Sequence, residues 1–303
     1  MENSAAPQLK SLEAEVLKTL SYFDYFSFPL DLQQLRFYLG IKADEAAVAT
    51  MLKELVAAKR VQCSGDLYSL SSIEPYAESR RAGEARLAAL QGRIDKSCER
   101  IRRFPFILFV GLSGSMSKGY APEDADIDFF LVTQKNRLWI CKIVLHLMKT
   151  LSRVKGSQKW YCLNYYIDDT ALRLEEQNEF TAVELASLKP LIDAGNYYEQ
   201  FIAANRSWLE TYLPNFELQR KERTFTTRKT WWGSMIASLS SDTLNKWVMK
   251  LTDGEWRKRR KRNSIPAEYR NVVIKTRVNI SKRHYRNFQK KMLDHQSQVC
   301  ENM

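Results

Sequence analysis

Residues 110–132 read VGLSGSMSKGYAPEDADIDFFLV: a glycine-serine turn, a gap, two alternate aspartates and an apolar run. Alternate residues of a strand project to one face, so Asp126 and Asp128 would present two carboxylates side by side. Like charges held that close call for a counter-charge. Ile127, Phe129, Phe130, Leu131 and Val132 are apolar, which runs the strand into a core and leaves its acidic end at a rim. Oxygen ligands of this kind suit Mg²⁺ or Mn²⁺, and Mg²⁺ is usually held by one or two carboxylates together with substrate phosphates. Gly114 and Ser115 answer the phosphate half of that requirement. Glycine lets the backbone approach a phosphate closely, and N–H groups at such a turn form an anion cradle. The stretch therefore reads as a metal-dependent nucleotide site.

These residues resemble the nucleotidyltransferase superfamily of the DNA polymerase β type. Its signature is an apolar residue, Gly-Ser or Gly-Gly, about ten residues, then Asp-x-Asp. Gly114 and Ser115 match, Met116 to Ala125 form the gap, and Asp126 and Asp128 take the carboxylate positions. Lys118 and Gly119 stand where many members carry a basic residue and a glycine. The resemblance spans roughly residues 104–190. It implies a small mixed-sheet α+β core and transfer of a nucleoside monophosphate from an NTP to an acceptor hydroxyl or phosphate, releasing pyrophosphate. Asp126 and Asp128 would hold Mg²⁺ (or Mn²⁺), Gly114 and Ser115 would position the β and γ phosphates, and Lys118 would add a charge-assisted contact.

The family pattern also has a third carboxylate on a neighbouring strand. A helix from about 136 to 153 is expected from the spacing of Leu138, Cys141, Val144, Leu147 and Leu151, with a strand over 159–168 after it. Only Asp168 and Asp169, at that strand's end, are acidic. Period two puts Asp168 on one face with Tyr166, Asn164 and Cys162. Either Asp168 or Asn164 is then the third metal-site residue, and Asp168, or a substrate carboxylate, would have to complete the site and deprotonate the acceptor.

Four segments are expected around this motif: residues 1–73, 74–103, 104–218 and 219–303. In the first, Leu12, Val16, Leu17 and Leu20, then Leu32, Leu35 and Leu39, then Val48, Met51, Leu52, Leu55 and Val56 mark three helices. A hairpin is expected around Ser64-Gly65-Asp66. That order resembles a winged helix-turn-helix, with residues 44–58 as the recognition helix. Lys53, Lys59 and Arg60 are offset by Asp44, Glu45 and Glu54, a poor set for reading base edges, so a scaffold or protein-contact role is expected. The cluster from Tyr22 to Phe28 reads as packing. Residues 74–103 read as a long charged helix that ends at Phe104-Pro105 and carries Arg100, Arg102 and Arg103 near the phosphate turn. Further on, Thr181 and Glu184 have capping-box spacing, and Tyr198, Asn196 and Asn205 are candidate substrate contacts.

The net charge of +12 is concentrated in the tail, where residues 219–303 hold 21 Lys and Arg against 7 Asp and Glu. Its centre, Arg257-Lys-Arg-Arg-Lys-Arg262, would attract the phosphates of RNA, DNA or an anionic membrane surface. Trp231, Trp232, Trp247 and Trp256 add stacking or interfacial anchoring. The segment is expected to be helical and amphipathic. Cys63, Cys98, Cys141, Cys162 and Cys300 show no C-x-x-C pair, and His146, His284 and His295 stand apart, so neither zinc nor a histidine mechanism is indicated. With no signal segment and no long apolar run, a cytoplasmic protein without a transmembrane segment is the expectation. Two other function classes remain open: a non-catalytic nucleotide-binding regulator, and a nucleic-acid-binding protein using the winged helix and basic tail.

Overall fold

The computed structural model describes residues 5–123, 126–154, 162–218, 224–228, 230–262 and 274–283. The chain is mixed α/β, built on a six-stranded sheet of order β6-β3-β4-β5-β8-β7. These strands are β3 (Ile107–Ser113), β4 (Asp128–Thr133), β5 (Cys162–Asp168), β6 (Lys189–Asp193), β7 (Ile274–Arg277) and β8 (Ile280–Arg283). Strand β3 runs antiparallel to β4 and β6, whereas β4 and β5 are parallel. A parallel pair needs a crossover, supplied by α5 (Leu138–Val154).

Both faces of the sheet are covered, which explains the nearly unbroken apolar runs in β3 and β4. On one face Val110, Leu112, Phe129, Leu131 and Tyr166 meet α4 (Ile73–Ile101) through Ile94 and Cys98, and α5 through Trp139 and Leu145. On the other, Phe109, Phe130, Val132, Ile167 and Ile280 meet α6 (Glu179–Ala186) and α7 (Tyr197–Tyr212). Phe130 stacks on Phe201 at 4.9 Å, and Phe109 on Tyr198 at 5.8 Å.

The N-terminal unit comprises α1 (Ala5–Asp24), α2 (Leu32–Tyr38), α3 (Glu45–Ala57) and the hairpin β1 (Gln62–Ser64) with β2 (Leu67–Ser69). Its helices arise where expected. Asp31 and Gln34 close a capping box on α2, and Asp44 caps α3 by accepting from the Ala47 N–H at 2.7 Å. The residues Leu12, Val16, Leu35, Val48 and Leu52 belong to the same buried cluster as Phe130 and Phe201. The expected boundary at residue 73 is therefore a change of local pattern with one core running across it. Arg80 of α4 fastens the two parts. It donates to the carbonyl of Pro29 at 2.6 Å and to Gln34 Oε1 at 2.8 Å, pairs with Asp31 at 3.2 Å, and lies 4.9 Å over the Phe28 ring.

The expected helical tail over 219–303 needs correction. It holds α8 (Trp231–Leu239) and α9 (Asp242–Arg262), but also β7 and β8, which complete the central sheet. Helix α9 docks on α5 through the buried Asn245, whose Oδ1 accepts from the Trp139 N–H at 2.9 Å, and through Asp242, which pairs with Arg137 at 2.6 Å. The β7–β8 hairpin is held by charge. Lys275 pairs with Glu175 at 2.8 Å and Glu176 at 2.6 Å, and Lys282 lies 3.6 Å from Glu176.

The hydrogen bond from Lys275 holds the Glu175 carboxyl below its usual range. Burial alone would raise Glu176, yet Lys282 and Lys275 together hold it low as well. A carboxyl depressed by folding contributes stability above its unfolded value, and that contribution is lost as pH falls through its folded value. Protection of the β8 amides, measured against their intrinsic exchange at each pH, is therefore expected to fall below about pH 4.3, earlier than at β3 and β4. Uniform acid loss of protection across all six strands would contradict this.

Candidate functional site

Strands β3 and β4 pair so that Ser113 faces Asp128 and Ile107 faces Thr133. The glycine-serine turn and the acidic end of β4 therefore meet at one edge of the sheet. Gly114 adopts φ +70, and a Cβ placed on it would lie 3.2 Å from Asp128 Oδ2. Glycine serves here twice, for the left-handed backbone and for the close approach of the carboxylate. Ser115 lies in a short 3₁₀ turn over Gly114–Lys118, closed by Gly119 at φ +92. The Ser117 hydroxyl donates to the Gly114 carbonyl at 2.7 Å and fixes the turn. Asp126 is exposed and Asp128 half-buried.

The loop after the turn is pinned to α4. The Ala121 N–H donates to the Gly83 carbonyl at 3.1 Å, Arg86 donates to the Ala121 carbonyl at 2.9 Å, and the Tyr120 ring occupies the space a Cβ on Gly83 would need. Tyr120 in turn packs at 5.4 Å against Phe28 of the N-terminal unit.

Lys118 is brought to the turn, but its ammonium is engaged. It pairs with Glu184 of α6 at 2.6 Å and donates to the Gly114 carbonyl at 3.3 Å. Glu184 had been expected to cap its helix with Thr181. Instead Asn178 caps α6, accepting from Thr181 N–H at 3.0 Å, which leaves Glu184 free to reach Lys118. Burial raises the Tyr38 hydroxyl well above the ordinary tyrosine value, and the Glu184 charge adds to it. Burial lowers the Lys282 ammonium, and the opposing influences include Glu176 and Glu184. Sequence reading did not single out Glu184 for the site. The available signal was a lone acid inside the apolar run Ala182, Val183, Leu185, Ala186.

Asp168 does not join this site. In the parallel register Asp128 pairs with Cys162 and Thr133 with Asp168, so Asp168 lies at the opposite end of the strands. Five residues of strand separate the two levels, on the order of 16 Å. The register also shifts between Phe129 and Phe130, where Leu163 and Tyr165 are the partners and Asn164 is the extra residue. That bulge breaks the period-two phase that had placed Asp168, Tyr166, Asn164 and Cys162 on one face. Asp168 instead ties down the loop after its own strand. Its carboxylate accepts from the Asn136 N–H at 3.1 Å, the Thr170 N–H at 3.0 Å and the Thr170 hydroxyl at 2.5 Å. Asp168→Ala is accordingly expected to cost about 2–4 kcal/mol of stability in urea unfolding, and to leave Mg²⁺-dependent NTP affinity per folded molecule unchanged. The side chain of Asn164 lies outside the described residues.

Other candidates separate in the same way. Arg102 pairs with Glu99 at 2.9 Å and packs 5.7 Å from the Phe225 ring, beyond the Ile107 end of β3 and away from Gly114. Asn205 is fully buried. It accepts from Leu174 N–H at 2.8 Å and Trp208 Nε1–H at 3.0 Å, and donates to the Leu172 and Phe201 carbonyls. Tyr198 is core, and Asn196 takes φ +59 at the start of α7. Asn196 precedes that helix at the Asp193 end of β6, where Asp193 pairs with Phe109, whereas Leu112, one residue from the turn, pairs with Lys189. Burial pushes the Cys98 thiol up to about 12 and the Cys141 thiol higher still, which suits packing rather than chemistry.

Strand β4 begins at Asp128, so Asp126 precedes it instead of alternating along it as expected, and only Asp128 is placed beside Gly114. A carboxylate beside a close-approach glycine fits a cation that takes its remaining ligands from phosphates. Among the described residues no group of three acidic, histidine or cysteine side chains is placed to hold a metal alone. No family model, curated protein or solved structure matches this chain.

Proposed function

We propose that the chain is a nucleotidyltransferase of the polymerase β type, binding an NTP at the sheet edge formed by Gly114, Ser115, Asp126 and Asp128. The observation that carries this reading is the 3.2 Å approach of the Gly114 Cβ position to Asp128 Oδ2, which joins both halves of the sequence motif. Antiparallel β3 and β4 with a parallel β5 after a crossover helix support it as well.

Asp126 and Asp128 would hold Mg²⁺ or Mn²⁺, which when bound neutralises charge on the triphosphate. Gly114 permits the phosphates to approach the backbone. Lys118 would exchange Glu184 for a phosphate oxygen, and Glu184 stores it beside the turn until then. In the reaction an acceptor oxygen bonds to the α-phosphorus while the bond from that phosphorus to the bridging oxygen breaks, and pyrophosphate leaves with the electron pair. Residues 155–167 contain no Asp or Glu, so β5 brings no carboxylate next to Asp128 to take a proton. An acceptor that is already anionic, such as a phosphate monoester, needs no such base.

The same missing carboxylate favours a second reading, a regulator that binds nucleotide without turning it over. The two are separated by equilibrium binding and pyrophosphate release, measured for each of the four NTPs with Mg²⁺ or with EDTA. Mg²⁺-dependent binding with release stimulated by a phosphate acceptor supports the enzyme. Binding without release under any acceptor supports the regulator, and absence of Mg²⁺-dependent binding rejects both.

The N-terminal unit is read as winged-helix in type, supported by the order of its helices and hairpin and by the bridge between Leu30 and Tyr68. The exposed residues of α3, among them Glu45, Thr50, Lys53 and Glu54, carry mixed charge, and the unit shares its core with the sheet. A scaffold for the site loop suits it better than a reader of DNA.

A further inference from the structure

Helices α8 and α9 carry an apolar surface that the nucleotide site does not explain. On α8, Trp231 is 79% exposed, Met235 50% and Leu239 70%, at successive i, i+4 spacings on one side of the helix. On α9, Leu244, Trp247 and Leu251 repeat the pattern at i, i+3 and i+7, and all three are exposed. The neighbouring α5 adds exposed Ile143 and Leu147. Each helix is fastened to the protein by its opposite side. Trp232 packs on Phe104 at 5.2 Å, the Thr230 hydroxyl donates to the Arg103 carbonyl at 3.3 Å, and Asn245 and Val248 of α9 are buried. The outward stripes are thus held in place and left to solvent, an arrangement that in a water-soluble surface costs free energy unless something covers it.

Charge identifies the covering surface. Lys246 and Lys250 are exposed beside Trp247 and Leu251, and the backbone of α9 runs on through Arg257-Lys-Arg-Arg-Lys-Arg262. Asp242, at the start of α9, is neutralised by Arg137. A second copy of the chain would bring one basic segment against another. A nucleic acid would meet the charge but leave Leu239, Leu244, Leu251 and Met235 without a partner, since aliphatic side chains do not stack on bases as aromatic ones do. An anionic bilayer meets both requirements: its headgroups take the Lys and Arg charges, and its acyl region takes the Leu, Met and Trp side chains. Among the described residues no helix is long and apolar enough to cross a membrane, so the helices would lie along the surface.

We propose that the outer sides of α8 and α9, with the basic end of α9, dock the protein peripherally on anionic phospholipid. This is independent of the nucleotide reading. The test uses the full chain and floats vesicles of phosphatidylcholine, alone or mixed with phosphatidylserine, and measures tryptophan quenching by brominated acyl chains. Expected are binding to the phosphatidylserine vesicles only, quenching, and weakening with added salt. Trp231→Ser with Trp247→Ser, and separately Leu239→Ser with Leu251→Ser, should each lower partitioning by about tenfold or more. Replacing the six basic residues 257–262 with Gln should do so at least as strongly. Circular dichroism and unchanged thermal melting establish that each variant is folded. The proposal is overturned by absence of vesicle binding, or by binding that the Trp and Leu variants leave intact. It is equally overturned by a stable dimer that those variants make monomeric, or by RNA binding in place of vesicle binding.

Discussion

Asp126→Ala combined with Asp128→Ala is expected to lower Mg²⁺-dependent pyrophosphate release by about a thousandfold or more, with little change in thermal unfolding. The size follows from the task assigned to the pair. A cation that offsets charge on the triphosphate supplies several kcal/mol to the transition state, and each 1.36 kcal/mol is about tenfold in rate. Little stability should be lost, because Asp126 is exposed and Asp128 sits half-buried at the sheet rim. The carboxylate of Asp168 serves as the control, since it lies at the other end of the strands. Single variants should each lose less than the double but more than Asp168→Ala. If the double variant retained release near the native rate, the site would have to lie elsewhere, whatever the motif suggests. Under the regulator reading the same variant loses Mg²⁺-dependent NTP binding instead.

Arg80→Met is expected to cost about 3–5 kcal/mol in equilibrium unfolding, the largest stability effect of any single substitution considered for this chain. The guanidinium is buried and serves several acceptors at once: the Pro29 carbonyl, Gln34 Oε1, Asp31 Oδ2 and Glu84 Oε1 at 2.8 Å. Methionine fills similar volume but removes the Arg80 donor from the Pro29 carbonyl and from Asp31 Oδ2, while Asp31 Oδ1 keeps the Gln34 N–H. Arg80→Lys should recover only part of the loss, because an ammonium cannot reproduce the planar fork. Because Phe28 packs against both the Arg80 guanidinium and Tyr120, the Met variant is also expected to loosen the loop that leads to Asp126, which hydrogen exchange at Ala121 would register. A loss under about 1 kcal/mol would mean that this network does not join the N-terminal unit to the rest.

The motif and the helices could be read from residues 1–154 because local chemistry decides them. Asp31 and Asp44 cap helices through contacts three residues away, and the apolar periodicity of α1, α3 and α5 marks their buried sides. Gly114 was legible for the same reason, since its role depends on its own backbone and on a strand neighbour. Capping at Thr181 was misassigned because Ser and Thr compete with Asn for that position, and local spacing alone did not rank them. Local periodicity marked the helices and strands of the two segments but not the core they share.

By itself, the sequence determined that an acidic strand start follows a close-approach glycine, that three helices precede a hairpin, and that positive charge gathers in the tail. Each depends on neighbours within a few residues, where strand period, helix period and side-chain caps act. Only the tertiary structure decided that Asp168 stands at the far end of the strands, because one bulged residue near Asn164 and the parallel register of β4 and β5 set its level and its face. Likewise, it decided that Lys118 rests on Glu184, that β7 and β8 finish the sheet, and that the Trp and Leu stripes of α8 and α9 face outward. Those outcomes rest on pairings between residues tens to more than a hundred positions apart. Register and packing select such pairings, and no local spacing encodes them.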